Sequence, residues 1–176
     1  MDVLQAIQLR REITRFKPDP IPSEVLEQLT QAMYYSPTGN NLPSREFILV
    51  TDPAMLAQLT PATPYMKWLE QSAAAYVILG HPGESKYWLQ DATLAGGYLW
   101  LAAVSLGLGA AWGAIYHSED SDESSRRENF IREKLAIPPE LRVVAIIGLG
   151  YPAVQPPAKE MYPLERVFHK GIYKEN

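Results

Sequence analysis

The feature that most constrains this chain is a run between Asp91 and Glu119 that contains no Asp, Glu, Lys or Arg. Roughly twenty apolar residues are enough to span a membrane, so this is the one stretch where a membrane reading could enter. Gly96, Gly97, Gly107, Gly109 and Gly113 interrupt it. Gly107-Leu108-Gly109 reads as a helix stop followed by a buried strand, which divides the run into a helix over 87–106 and a strand over 110–115. No membrane span is expected. A helix that is apolar all round belongs in a large core or an interface, so a dimer is expected to cover this one.

The rest of the chain builds around that helix. With 176 residues, 47% of them hydrophobic and 20% charged, one domain with a sizeable core is expected over 1–176. A net charge of -4 is too acidic for a protein whose main work is neutralising nucleic-acid phosphates. The absence of cysteine excludes a disulfide framework, a thiolate nucleophile and a cysteine-ligated zinc or iron-sulfur site, and a reducing cytoplasm fits best. The opening Met-Asp-Val-Leu-Gln-Ala carries an acid where a secretory leader would be basic, so no leader is expected.

Periodicity predicts a short helix over 3–9 and a second over 24–35 capped by Ser23, with a proline-rich connector between them. Strands are expected over 47–50, 76–79, 110–115 and 143–149, the last central because it is almost wholly apolar. Short helices fall near 53–59 and 65–70, and a longer one over 124–135 turns Phe130, Ile131 and Leu135 inward. The acidic residues Glu119, Asp120, Asp122 and Glu123 read as a solvated loop. Strands separated by helices in so short a chain indicate one mixed sheet between helical layers.

Several motifs fail on context. Gly148-Leu149-Gly150-Tyr151-Pro152-Ala153 fits G-x-G-x-x-A, but Pro152, Pro156 and Pro157 forbid the helix that a pyrophosphate site requires. There is no G-x-x-x-x-G-K-[ST] loop and no G-x-S-x-G elbow. His81, His117 and His169 lie too far apart for a local metal motif, so no metal is expected. No side-chain acid or base stands out, and no catalytic side chain is assigned.

Three segments remain: Arg10-Arg11-Glu12-Ile13-Thr14-Arg15-Phe16, a cationic cluster beyond a helix end; the turn-forming Ser36-Pro37-Thr38-Gly39-Asn40-Asn41; and Asp91-Ala92 continuing through Leu101-Ala102-Ala103 and Leu106-Gly107-Leu108-Gly109 to Trp112-Gly113. In this order and spacing they resemble the FMN-dependent nitroreductase family. Its members open with an R-R-S-I-R-x-F type segment, continue with P-[ST]-x-x-N, and carry D-A-x-x-A-x(5)-L-A-A-x-x-L-G-L-G-x-x-W centrally.

The resemblance implies an α+β three-layer sandwich, with a mixed, mainly antiparallel sheet flanked by helices. It also implies a homodimer in which the extension over 151–176 embraces the partner and adds to its sheet, with two FMN molecules at the subunit interface. Arg10 and Arg11 align with the family's phosphate ligands, which suits a planar fork that can bond two oxygens at once. Asn41 aligns with the loop asparagine, whose carboxamide can answer both donors and acceptors of the flavin pyrimidine edge. Thr38, between Pro37 and Gly39, aligns with a ring-contacting hydroxyl. Trp112, Gly113 and Ala114 fall where backbone amides approach the ring, and Lys159 where a second phosphate cation stands.

Some positions depart from the pattern. Glu12 replaces a phosphate-contacting serine, and Thr14 replaces the cation near flavin N1 and O2, so that either Arg15 substitutes for it or the flavin potential differs. Pro43 replaces a glutamine, Ser44-Arg45 a Pro-Trp pair, Met161 a basic residue, and Gly113-Ala114 a Val-Gly or Ile-Glu-Gly arrangement. The function implied is hydride transfer from NADH or NADPH through FMN to an electron-poor small molecule, such as a nitroaromatic or quinone, by a ping-pong cycle. The alternatives are a specialised family reaction (reductive dehalogenation, azoline oxidation or flavin fragmentation) or a non-catalytic flavin-binding dimer.

Overall fold

The computed structural model describes residues 1–174. The extension expected over 151–176 therefore reaches two residues that lie outside the described ones. Four strands form the sheet: β1 (Arg45–Val50), β2 (Ala74–Gly80), β3 (Gly109–Ala114) and β4 (Arg142–Gly150), in the order β1-β2-β4-β3. Every pairing is antiparallel, and the parallel component is a single bridge between Glu12 and Ala110. The strands extend one or two residues beyond the sequence expectation at several ends, because ladder bonds recruit flanking residues whatever their polarity, while β3 stops one residue short at Ala114; Arg45, for example, pairs with Gly80. β4 is interior, as its unbroken apolar run requires.

Two helical layers cover the sheet. On one face lie α1 (Val3–Leu9), α2 (Ser23–Tyr34) and α4 (Trp88–Ser105), and on the other α3 (Pro53–Leu59) and α5 (Ser121–Leu135). Strand alternation splits the core accordingly. Tyr76, Ile78, Ile147 and Leu149 pack with Leu29, Met33 and Leu99, while Val77, Leu79, Val143 and Ile146 pack with Leu56 and Ile131. Each such fully buried aliphatic side chain contributes about 1.5–3 kcal/mol of transfer free energy. Among the described residues no helix is long and apolar enough to cross a membrane.

Two local expectations are corrected. Ser23 is the first residue of α2 and not its cap; Pro22 stands at the cap, and its carbonyl accepts the amides of Val25 and Leu26. The acidic stretch near 120 is not simply a solvated loop. Asp120 caps α5 through the amides of Asp122 and Glu123, and these two acids lie in the first turn, where the helix dipole favours negative charge.

The segment 12–17 is laid along the start of β3 and the start of the tail. The Ile13 amide bonds the Ala110 carbonyl at 3.0 Å, and the Lys17 amide bonds the Tyr151 carbonyl at 2.8 Å. Ile13 and Phe16 turn inward, closing against Gly109 and Gly150, where a Cβ would come within 3 Å of them. Past Tyr151 the tail stays on the surface, with Met161, Leu164, Phe168 and Ile172 all more than 60% exposed.

Candidate functional site

The residues singled out above fall into two groups, both placed by α4. The first gathers around Trp100. Arg10 ends α1, and its guanidinium lies over the Trp100 ring, 4.7 Å from the centroid. The Trp100 indole N–H donates to the Arg11 carbonyl at 3.3 Å, and its ring stacks on Trp112 at 6.5 Å and 13°. Arg10, Trp100 and Trp112 thus form a layered column.

Arg11 is partly committed: Nη1 donates to the carbonyls of Gln8 and Arg10, both at 2.8 Å, and Nε donates to the Pro157 carbonyl at 3.2 Å. That last bond draws the tail to the arginines. Lys159, two residues on, can then lie no more than about 7 Å of backbone away from Pro157. Among the described residues Arg10, Arg15 and Lys159 make no ion pair within 4.0 Å. Glu12, Thr14 and Arg15 are exposed on the outer side of the segment, opposite Ile13 and Phe16.

The second group is the loop between α2 and β1. Pro37 and Asn41 are exposed, Thr38 and Gly39 half-buried. Gly39–Asn41 forms a 3-10 turn in which Asn40 and Asn41 take φ of 56° and 57°, the left-handed region that asparagine tolerates better than most residues. The Gly39 amide donates to the Asp91 carboxylate at 3.0 Å, and a Cβ on Gly39 would overlap the Tyr87 ring. Arg45 fastens the loop entrance through Nε to Ser36 Oγ at 3.0 Å and Nη2 to the Ser36 carbonyl at 2.5 Å. Beside this loop is a hollow of about 560 Å³ bordered by Tyr34, Tyr35, Thr38, Asn41 and Arg45.

Asp91 and Trp100 are nine residues apart on α4, about 14 Å along its axis. Within one chain, therefore, the structure brings the cations together with Trp112 and keeps the loop at the other end of the helix. Gly113 and Ala114 lie on β3, an edge strand laddered to β4 and bridged to Glu12 only at Ala110 among the described residues, so beyond that bridge alternate backbone amides face away from the ladder. Gly113 is buried against Met66, and the Ala114 carbonyl accepts from Arg127 at 3.1 Å. The Trp112 side chain is committed to packing, filling the space that Gly96 leaves free.

Three participants escaped the sequence reading: Trp100, Tyr87 and the carboxylate of Asp91. Asp91 had a visible signal, since it is the last charged residue before the uncharged run and shares a helical face with Ala92, Ala95 and Leu99. Such a face forces a carboxylate inward. Nothing separates Trp100 from an ordinary core residue until Arg10 is placed on it. No group of His, Asp and Glu able to hold a metal occurs among the described residues.

Comparison with known proteins gives this arrangement its kinship. The profile of the Nitroreductase family matches residues 7–65 and 62–151, which include both groups except Lys159. The chain belongs to the nitroreductase family. A relative from Methanothermobacter thermautotrophicus, described as an NADH dehydrogenase/NAD(P)H nitroreductase, is 31% identical over 95% of this chain and 86% of its own. A crystal structure described in the same words, from Bacteroides thetaiotaomicron, superposes with a TM-score of 0.87 at 28% identity and covers 96% of each chain. An FMN-dependent nitroreductase from Clostridium difficile superposes at 0.82, with 27% identity over 98% of this chain and 99% of that one. The family and the α+β fold are those that the three collinear segments imply.

Proposed function

We propose that this nitroreductase-family chain is a homodimeric, FMN-dependent NAD(P)H oxidoreductase that delivers electrons to an electron-poor small molecule such as a nitroaromatic or a quinone. The observation that carries the reading is Arg10: a guanidinium with no carboxylate partner among the described residues, held by Trp100 beside Arg11 and within reach of the tail that bears Lys159. An anion of phosphate geometry fits that cluster, since arginine forks bond two oxygens at once. The rest of the donor set suits the remainder of FMN. Asn41 offers a carboxamide, Thr38 a hydroxyl, and the edge strand through Gly113 and Ala114 offers backbone with little side chain to block a flat ring.

Because the two groups stand about 14 Å apart along α4, we place each FMN between protomers, with the arginines of one chain opposite the loop of its partner. The exposed apolar residues of α1 and the tail are the surface that such a dimer would cover, and residues 151–176 are its embracing extension. When bound, FMN supplies two-electron transfer from NAD(P)H to the acceptor. The chain's own work is to bind the phosphate, orient the ring and leave one face open, so that donor and acceptor take turns in a ping-pong cycle. Glu12 is exposed, so its carboxylate is free to turn away from the phosphate. A cytoplasmic location belongs to the same reading, since NAD(P)H is the donor.

The visible spectrum of the purified protein, followed by thin-layer separation of the released flavin, tests this directly. FMN bleached by NADH or NADPH in stopped flow is the expected result. A protein that holds no FMN would overturn the reading, and one whose FMN neither nucleotide reduces would be a flavin-binding dimer and not this enzyme.

A further inference from the structure

We propose that Asp91 is the positioning residue of the cofactor-facing loop: its buried carboxylate fastens Gly39 and Ser44 together and so fixes the conformation in which Thr38 and Asn41 meet FMN. The inference rests on the FMN reading above.

Asp91 is 5% exposed, yet among the described residues it forms no ion pair. One oxygen accepts the Gly39 amide at 3.0 Å, and the other accepts the Ser44 hydroxyl at 2.5 Å. Ser44 is itself fully buried, so this bond is shielded from water. Burying a carboxylate is costly even with a cation in range, and Arg45, which feels the Asp91 charge, spends its own hydrogen bonds on Ser36, so a packed apolar residue at such a position generally serves stability at least as well. Its place in the first turn of α4 eases the burial but does not explain it. What the carboxylate does that an apolar residue cannot is to join two points of the chain five residues apart.

The segment between those points needs the restraint. Asn40 and Asn41 both hold positive φ, a conformation that persists in non-glycine residues only when the surroundings over-determine it. The internal bonds of the loop are long, 3.2 Å from the Asn41 amide to the Thr38 carbonyl and 3.3 Å from the Leu42 amide to the Gly39 carbonyl. Tyr87, one turn before Asp91, closes over Gly39 from the other side. Asn41 is exposed and its side chain makes no hydrogen bond among the described residues, so the direction of its carboxamide follows from the backbone this scaffold holds. Groups held in their bound geometry beforehand spare the ordering cost when a ligand arrives.

The test compares FMN dissociation constants and the visible circular dichroism of bound FMN across variants. Asp91→Ala should raise the constant tenfold or more and change the visible dichroism of the FMN that remains bound. Asp91→Asn should recover most of both, because its amide oxygen still accepts from Gly39 and its NH2 can donate to Ser44 Oγ. Leu99→Ala, buried two turns along the same helix, should lower the melting temperature and leave both flavin readouts unchanged. Should Asp91→Ala fail to fold, Ser44→Ala removes one arm of the clasp and should raise the constant several-fold. Wild-type protein that binds FMN, with Asp91→Ala or Ser44→Ala matching it in affinity and dichroism, would overturn the positioning role alone. Wild-type protein that binds no FMN would overturn the functional reading and this inference with it.

Discussion

On one face of the sheet Glu123 holds Arg126 and Arg127, each at 2.7 Å, and Glu128 holds Arg142 at 2.6 Å; on the other, Val3, Leu4 and Ile7 are more than half exposed and Arg10 faces an indole instead of a carboxylate. The α5 layer pairs three of its neighbouring arginines with carboxylates, while Arg132 bonds Asn129 and the Leu141 carbonyl with its Nε left buried and unpartnered among the described residues, and Lys134 lies over the Phe130 ring. Even its hollow, bordered by Tyr116, His117, Glu128 and Arg142, is floored by a closed network in which Glu128 also accepts from Ser124 and from the Val143 amide. The α1 and α4 layer instead presents apolar surface and cations that make no ion pair among the described residues. Surface of that kind marks a place where another molecule binds. The difference separates a layer that one chain finishes from a layer that, on the proposed reading, a second chain and an anionic ligand would complete.

The largest expected effect comes from removing residues 154–176. They contribute no buried apolar residue to either core, so the truncated chain should still fold. Without the tail it should sediment as a monomer and lose FMN, whereas the full chain should sediment near twice 19.7 kDa. A truncated chain that remains a flavin-loaded dimer would break the comparison, as would a full-length monomer that binds flavin.

Next is Glu128→Ala, which leaves Arg142 without its carboxylate. Breaking a buried pair costs about 3–5 kcal/mol, and because the Arg142 side chain is 35% exposed and can rehydrate, the lower end is expected. The comparison requires that FMN affinity be unchanged while the melting temperature falls. The pair also sets a pH dependence. Burial opposes ionisation of Glu128, but hydrogen bonds from Arg142, Ser124 and the Val143 amide outweigh it and hold its carboxyl below the usual range. A carboxyl depressed in the folded state stabilises the fold above the ordinary glutamate value, about 4.3, and loses that contribution as the pH falls through the lower folded value. Melting temperature measured from pH 6 downward should therefore fall more steeply for wild type than for Glu128→Ala. Glu123, brought to about 2 by its bonds to Arg126 and Arg127, adds to the slope in both proteins.

Arg10→Ala probes the unfinished face. Charge-assisted bonds to phosphate contribute about 1.5–3 kcal/mol each, so FMN binding should weaken roughly tenfold or more, with little change in apoprotein stability. Arg11→Ala should weaken it as well, through the phosphate and through loss of the bond that draws in the tail at Pro157. Unchanged affinity in both variants would return the pair to a helix-end role.

How much of this was legible in sequence follows from the range of the interactions. The central helix, its glycine stop and the four strands were legible because each is a local pattern of apolar residues and breakers. The two end groups were legible as candidates because motif spacing survives in one dimension. Their separation along α4 was not, since the bond from Gly39 to Asp91 and the contact of Arg10 with Trp100 join residues 52 and 90 positions apart. The cap of α5 was misread for a related reason. A run of acids looks the same whether it is solvated or aimed at a helix start, and Arg126 and Arg127 had to be placed before Glu123 acquired partners.

The smallest expected effect lies at Thr14 and Arg15, on the rim of the unfinished face. Reduced flavin carries negative charge near N1 and O2, and a neighbouring cation favours that state. Thr14 cannot supply the cation, while Arg15 is exposed beside it and among the described residues makes no ion pair within 4.0 Å. The backbone of Arg15 is fixed, its carbonyl accepting the Ala153 amide at 2.9 Å, so the guanidinium swings from a stationary base where the tail leaves the sheet. If it reaches the ring, Arg15→Gln should lower the flavin potential by some tens of millivolts and slow reduction by NAD(P)H, and Thr14→Lys should raise the potential. For a two-electron couple about 30 mV corresponds to about 1.4 kcal/mol, the scale of one partly exposed charge contact. Redox titration of the bound flavin decides the matter: a potential unchanged in Arg15→Gln but raised in Thr14→Lys would show that the site accepts a cation which Arg15 does not provide, and would confine the cationic part of this face to Arg10, Arg11 and Lys159.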